Sequence, residues 1–103
     1  MRFLVKVEMP VERGNSLARE GMLGKKIRAI LQDQKPEAAY FVAFNGKRTG
    51  FLFLDLQQPS QIPAIAEPWF LAFNADIEAT PAMTPEDLEE AGPSIKKAVE
   101  KFG

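Results

Sequence analysis

The stretch that decides the fold is AYFVAFNGKRTGFLFLDL, residues 39–56. Asn45-Gly46 at its centre is a strong short-range signal for a tight β-hairpin, because both central residues of a type I′ turn need positive φ. Mostly apolar segments flank the loop on both sides. The sequence therefore predicts two antiparallel strands joined near Asn45-Gly46.

Both faces of the predicted hairpin are apolar, because successive side chains of a strand point to opposite faces. One face carries Tyr40, Val42, Phe44, Phe51 and Phe53. The other face carries Ala39, Phe41, Ala43, Leu52, Leu54 and Leu56. Leaving one such face in water would cost about 1.5–3 kcal/mol for each large side chain. We expect an identical subunit to cover the second face; the alternatives are the chain's own C-terminal helix or an apolar ligand.

The loop itself, NGKRTG at residues 45–50, is glycine-flanked and basic, so it raises the question of phosphate binding. A P-loop needs the pattern GxxxxGK[ST] leading into a helix, whose free amides hold the anion. Here Lys47 lies between the glycines and a strand follows. The P-loop hypothesis fails, which leaves a looser anion site at Lys47 and Arg48 or a solvated turn.

Alternation and capping patterns predict the first half of the fold. Residues 2–9 alternate apolar and polar side chains, as a half-buried strand does. A helix is expected to start at Asn15 or Ser16, to carry an apolar stripe past Gly24, and to end at Lys35-Pro36.

After the hairpin the predicted order is helix, strand and helix. Pro59-Ser60 marks the start of another helix, which Pro68 is expected to kink or end. Residues 73–80 alternate as a fourth strand. Thr84-Pro85-Glu86-Asp87 has the pattern of a capped helix start, Gly92-Pro93 ends that helix, and residues 94–102 form a further amphipathic segment.

The element order βαββαβ predicts an α+β protein with a ferredoxin-like antiparallel sheet, two helices on one face and an added C-terminal helix. The length of 103 residues suits a single ferredoxin-like domain spanning residues 1–103. Paired through the second apolar face, two such domains would make a dimeric α/β barrel.

Composition limits the chemistry. The chain has no Cys and no His, which removes thiolate nucleophiles, the usual general base and the commonest zinc ligands. Residues 1–50 carry a net charge of +5 and residues 51–103 one of −6, but a pI near 5.5 does not suit nucleic-acid binding. No signal peptide or spanning segment is recognisable, so we expect a cytoplasmic protein with neither a membrane nor a nucleic-acid partner.

Two acids on the fourth strand, Asp76 and Glu78, are the candidate catalytic residues. In a ferredoxin-like sheet they neighbour Lys6 and Glu8 of the first strand, and two carboxylates held close together can provide a general acid or base. The alternatives are cross-strand ion pairs at a wet sheet edge and an Mg²⁺ or Ca²⁺ site. We expect no metal and no prosthetic group.

Tyr40 and Trp69 are the only Tyr and Trp in the chain and are the candidate ligand-binding residues. Each combines a large apolar ring with a polar tip that can orient a substrate, although packing in the core would also explain them. Arg13, Arg48 and Glu67 are further polar candidates, with solvation as the alternative.

The chain resembles the dimeric α/β-barrel superfamily, and in particular its small uncharacterised members. The resemblance rests on the βαββαβ order, the doubly apolar hairpin, and the segments MRFLVKVEMPVERGN, KPEAAYF, IPAIAEPWF and MTPEDL. The superfamily includes cofactor-free monooxygenases, lactone isomerases, haem enzymes and ligand-sensing domains, and the absence of His disfavours the haem and His-dependent branches.

These observations predict a homodimer that binds a small, partly apolar organic molecule between sheet and helices. The alternative is a cofactor-independent monooxygenase or isomerase that acts on such a compound. Fold alone does not decide between them.

Overall fold

A computed structural model describes all 103 residues as a four-stranded sheet with five helices. The strands are β1 (Arg2–Glu8), β2 (Ala38–Phe44), β3 (Lys47–Asp55) and β4 (Asp76–Pro81). The helices are α1 (Val11–Arg19), α2 (Leu23–Gln34), α3 (Ile62–Phe73), α4 (Pro85–Glu90) and α5 (Gly92–Phe102), with a 3₁₀ turn at Pro59–Gln61. None of the helices has the length and apolar character needed to cross a bilayer.

The sheet order is β2-β3-β1-β4, and every neighbouring pair is antiparallel. This mixed α+β arrangement is compatible with a ferredoxin-like fold. Helices α1, α2 and α3 pack on one sheet face and bury the odd-numbered side chains of β1, including Val5 and Val7, together with Leu52 and Leu54 of β3.

The hairpin prediction is confirmed. β2 and β3 join through Asn45 and Gly46, whose φ angles of 53° and 76° are both positive. Tyr40 lies opposite Phe51, and Ala39 lies opposite Leu52. The side chains are therefore divided between the two sheet faces as predicted. Helices cover the Leu52 face, while the other face is open: Tyr40 keeps 64% of its surface exposed and Phe44 keeps 40%.

The prediction of one long helix after β1 is wrong. Two helices form instead, and the first begins at Val11, directly after Pro10, rather than at Asn15 or Ser16. The break lies at Gly21, which has φ +71°. The Gly21 amide donates to the Ala18 carbonyl and the Met22 amide to the Leu17 carbonyl, the bond pattern of a Schellman helix end that needs a left-handed residue.

Pro68 does not end α3, which continues to Phe73. Proline at this position removes one helical hydrogen bond, but Trp69 and Phe73, both fully buried, lie just beyond it. Burial of these rings outweighs the lost bond. The helix instead ends at Asn74, which is left-handed with φ 54°, so the fourth strand starts at Asp76 and not at residue 73.

The C-terminal segment forms an arm, defined here as α4 and α5. Both helices form as predicted, but α5 has no buried residue and no hydrogen bond to the sheet. The radius of gyration is 17.3 Å, against about 13 Å expected for a compact domain of this length. The arm therefore projects away from the sheet, and the chain's own C-terminal helix does not cover the open face.

The start of α4 provides a pH-dependent prediction. Asp87 accepts a hydrogen bond from the Thr84 amide at 2.9 Å, and this bond holds the pKa of the Asp87 carboxyl below its ordinary value. A lowered folded-state pKa means that the stabilisation is complete above the unfolded-state pKa and is lost as pH falls through the folded-state one. We expect the Thr84 amide to lose protection from hydrogen exchange below about pH 4. Asp87→Asn should abolish this acid-dependent step; an unchanged step in that variant would contradict the assignment.

Candidate functional site

An apolar groove runs between α2 and β2 on the helix side of the sheet. Its volume of about 340 Å³ falls in the range of small-molecule sites. The lining residues are Met9, Leu23, Ile27, Phe41, Val42, Ala43, Arg48 and Thr49. Six of these are hydrophobic, and all six but Val42 have side chains on the helix side. Arg48 is the one charged member, so the groove suits a molecule that is mostly apolar.

Small side chains on β2 and β3 make room for this groove. Phe41 lies opposite Gly50 in the register, and its ring leans over that glycine: a Cβ added there would lie 2.8 Å from Phe41 Cε1. Beside it, Ala43 leaves the end of β2 without a large side chain facing α2. Gly50 and Ala43 therefore leave space on the strand side of the groove.

Arg48 is placed at the groove by strand alternation. It has the same parity on β3 as Gly50 and Leu52, so its side chain points to the helix side of the sheet. Its Nη1 donates a hydrogen bond to Asn15 Oδ1 at 3.0 Å. The guanidinium also packs against Gly14, where the Cβ of any other residue would lie only 2.6 Å from Nη1. Arg48 is partly buried and forms no ion pair with any carboxylate.

The two basic residues of the hairpin separate in the structure. Lys47 has the opposite parity and bonds Glu8 Oε1 at 3.3 Å on the open side. Only Asn45 and Gly46 form the turn, and residues 47–50 belong to β3, so the NGKRTG stretch does not have the loop-to-helix geometry of a phosphate-binding site. Of the looser anion site considered for Lys47 and Arg48, only Arg48 faces a hollow with its charge unpaired.

The four polar strand residues Lys6, Glu8, Asp76 and Glu78 do share one face, since Lys6 pairs with Glu78 and Glu8 with Asp76 in the register. They line an open hollow of about 370 Å³. Asp76 and Glu78 are exposed, and Glu8 is bridged by two lysines. No group of three or more acidic side chains is arranged to hold a metal ion. Glu8 thus forms one ion pair within β1, to Lys6, and one between strands, to Lys47 of β3, while Asp76 and Glu78 form none.

Trp69 and Tyr40, the two candidate ligand-binding residues, have different environments: Trp69 is buried and Tyr40 is exposed. Trp69 is fully buried, stacks on Phe73 with ring centroids 5.6 Å apart, and donates its indole N–H to Gln34 Oε1 at 3.1 Å. Tyr40 is on the open face, on the opposite side of the sheet. Neither side chain lines a hollow.

The remaining polar candidates, Arg13 and Glu67, do not line the groove. Arg13 donates from Nε and Nη2 to the Ala72 carbonyl and so ties α1 to the end of α3. Glu67 is exposed on α3. A larger hollow of about 500 Å³ lies near Met1 and Asp87. Arg2 lines it, but the Arg2 guanidinium is already paired with Glu37, with Nε 2.7 Å from Oε2.

Leu23 and Ile27 belong to the predicted apolar stripe of the first helical segment and Phe41 to a predicted apolar face of the hairpin, so none of these lining residues was predicted to be in a site. The signal that could have found the groove is Arg48: counting by twos from Leu52 places a cation on the apolar face of the hairpin. The gap between α2 and β2 has no signal of its own in the sequence.

No protein-family model and no curated protein sequence matches this chain.

Proposed function

We propose that this protein is a binding module that holds a small, partly apolar organic molecule in the groove between α2 and β2. The observation that carries the proposal is the combination of six hydrophobic lining residues with one partly buried, unpaired guanidinium. Ligand sites in proteins have this composition, an apolar surface with few polar groups that set orientation.

The lining of the groove favours binding over catalysis. Proton transfer needs an acid or base within hydrogen-bond reach of the substrate. The groove offers only Arg48, whose guanidinium donates hydrogen bonds and accepts none, because strand alternation turns the Thr49 hydroxyl toward the other sheet face, and that hydroxyl already donates to the Lys47 carbonyl at 3.2 Å. The acids Asp76 and Glu78 lie in a different hollow on β4.

We further propose that the protein is a homodimer of ferredoxin-like subunits, as members of the dimeric α/β-barrel superfamily are. The support is the open face, whose exposed Tyr40, Val42 and Phe44 form a continuous apolar surface with Phe51 and Phe53. A two-fold pair would bury this surface against its copy. The arm supplies a second uncovered stripe, with Ile95, Val99 and Phe102 exposed by 52%, 62% and 87%, and we propose that it packs on the same partner.

The binding proposal is tested by filling the groove. Ala43→Phe places a ring among the lining residues, and Ala64→Phe adds the same ring to an exposed position on α3 outside the groove. The probe is 3-phenylpropan-1-ol, followed by chemical-shift titration of the Leu23 and Ile27 methyl groups. We expect saturable shifts in the unsubstituted protein and in Ala64→Phe, and affinity at least about tenfold weaker in Ala43→Phe, because burying the phenyl tail is the main driving force.

Two further results complete this test. Native mass spectrometry of freshly purified protein should show a retained small molecule that Ala43→Phe no longer carries. Equal titration curves for the two phenylalanine variants would refute the groove as the binding site.

A further inference from the structure

We infer that the ligand of the α2–β2 groove is a carboxylate with an apolar tail, recognised by Arg48. The inference rests on the proposed binding function and deepens it by naming the chemical class. It stands on three features of Arg48: its side chain faces the groove, its guanidinium is partly buried, and it has no acidic partner.

Only four cationic groups of this chain form ion pairs, so what distinguishes Arg48 among the unpaired ones is that it is partly buried and lines an apolar groove. Arg2 pairs with Glu37, Lys47 and Lys6 with Glu8, and the N-terminal ammonium with Asp55. Arg48 instead donates one hydrogen bond to a neutral amide oxygen of Asn15, which leaves most of its five N–H donors free. A partly desolvated cation gains most from an anion that restores its hydrogen bonds.

The surroundings define the class of anion. A guanidinium presents a planar fork that matches the two oxygens of a carboxylate. The rest of the groove is hydrophobic, with the Phe41 ring on one wall and Leu23 and Ile27 on the other. No second cation lines it, so one negative charge is balanced, and a dianion such as a phosphate monoester would be left with an excess charge against apolar walls.

Gly14 positions the guanidinium. The close approach of Arg48 Nη1 to the Gly14 Cα is possible because that residue has no Cβ. Gly14→Ala should push the guanidinium away from Asn15 while leaving the lining residues in place. Gly14 is thus a positioning residue whose substitution affects charge recognition but not the apolar part of the groove.

The experiment compares three probes that share one tail: 3-phenylpropanoate, 3-phenylpropan-1-ol and 3-phenylpropylammonium. Affinities are measured at pH 7 by chemical-shift titration of the intact protein, with the Arg48 Nε–H resonance followed as a direct reporter. We expect the carboxylate to bind at least about tenfold more tightly than the alcohol, because it forms charge-assisted hydrogen bonds with a partly desolvated guanidinium. The ammonium should bind most weakly.

Three variants test the assignment to Arg48. Arg48→Gln should remove the preference for the carboxylate and leave the affinity for the alcohol nearly unchanged, and Gly14→Ala should reduce the preference. Arg19→Gln, an exposed arginine at the end of α1, removes the same charge elsewhere and should keep the full preference. The alcohol affinity also reports that each variant still folds.

The outcomes separate this inference from the proposed function. Equal binding of carboxylate and alcohol to the groove would overturn the inference and leave the binding function in place. A carboxylate preference that survives Arg48→Gln would overturn it as well. Failure of all three probes to shift the groove resonances would count against both.

Discussion

Trp69→Ala should lower the free energy of unfolding by about 3–5 kcal/mol, the usual cost of deleting a fully buried large aromatic side chain. The indole is completely buried between α3 and the sheet and stacks on Phe73. Its removal also leaves Gln34 Oε1 without its donor, while Gln34 Nε2 still donates to the Ile65 carbonyl at 2.8 Å. The loss is a large part of the 5–15 kcal/mol that stabilises a typical domain.

Urea denaturation at one fixed protein concentration measures this effect, because stability depends on concentration if subunits associate. Trp69→Phe is the matched variant: it keeps an aromatic ring for stacking, loses the hydrogen bond to Gln34, and should cost clearly less than Trp69→Ala. Leu71→Ala, at a position 78% exposed on the same helix, should change stability by no more than about 0.5 kcal/mol. A loss below 1 kcal/mol in Trp69→Ala would contradict the packing role of Trp69.

Tyr40→Glu should weaken dimerisation by at least about tenfold. In the proposed two-fold pair the substitution places a carboxylate of each subunit in an apolar interface, and like charges brought together across an interface cost several kcal/mol. Tyr40 keeps 64% of its surface exposed within one subunit, so the variant should fold normally. Sedimentation velocity over a range of concentrations gives the dissociation constant of the dimer.

Leu71→Glu is the control for charge alone, because Leu71 lies on α3, in the helix layer on the other side of the sheet. It should leave the dissociation constant unchanged. Ile95→Glu combined with Val99→Glu tests the arm in the same assay and should also weaken the dimer. If the unsubstituted protein sediments as a monomer at micromolar concentration, the homodimer proposal is wrong and the open face needs another partner.

Strong local signals explain why the hairpin and the facing of its strands were predictable, although the turn is only Asn45-Gly46 of the predicted loop at residues 45–50. Asn45 and Gly46 both tolerate positive φ, and the period of two on each flank sets the register and therefore the two faces. The capped start of α4 was equally clear, because Thr84 and Asp87 satisfy each other's backbone amides without help from the rest of the chain.

Two helices differ from the prediction for different reasons. The single helix expected between Asn15 and Lys35 is divided at Gly21, whose positive φ completes the Schellman end of α1. The sequence predicts a kink or an end at Pro68, and the helix does not end there, because Trp69 and Phe73 beyond it are buried in the core. The signal at Gly21 is local, whereas the continuation past Pro68 depends on contacts with segments distant in sequence.

The candidate site was only partly visible in the sequence. The groove has one charged residue, Arg48, which lies in the stretch NGKRTG, and strand parity places its side chain on the same hairpin face as Leu52. The groove exists because α2 and β2 stand apart where Phe41 leans over Gly50 and Ala43 is small. That gap is a matter of helix placement, which no residue pattern encodes.

By itself, the sequence determined the strand pattern, the two apolar faces of the hairpin and the exclusion of His and Cys chemistry, because these follow from side-chain alternation, turn geometry and composition. Only the tertiary structure decided which face the helices cover, that the arm leaves the other face open, and that Arg48 lies unpaired in an apolar groove. These properties depend on distances between segments tens of residues apart, where packing rather than local preference sets the geometry.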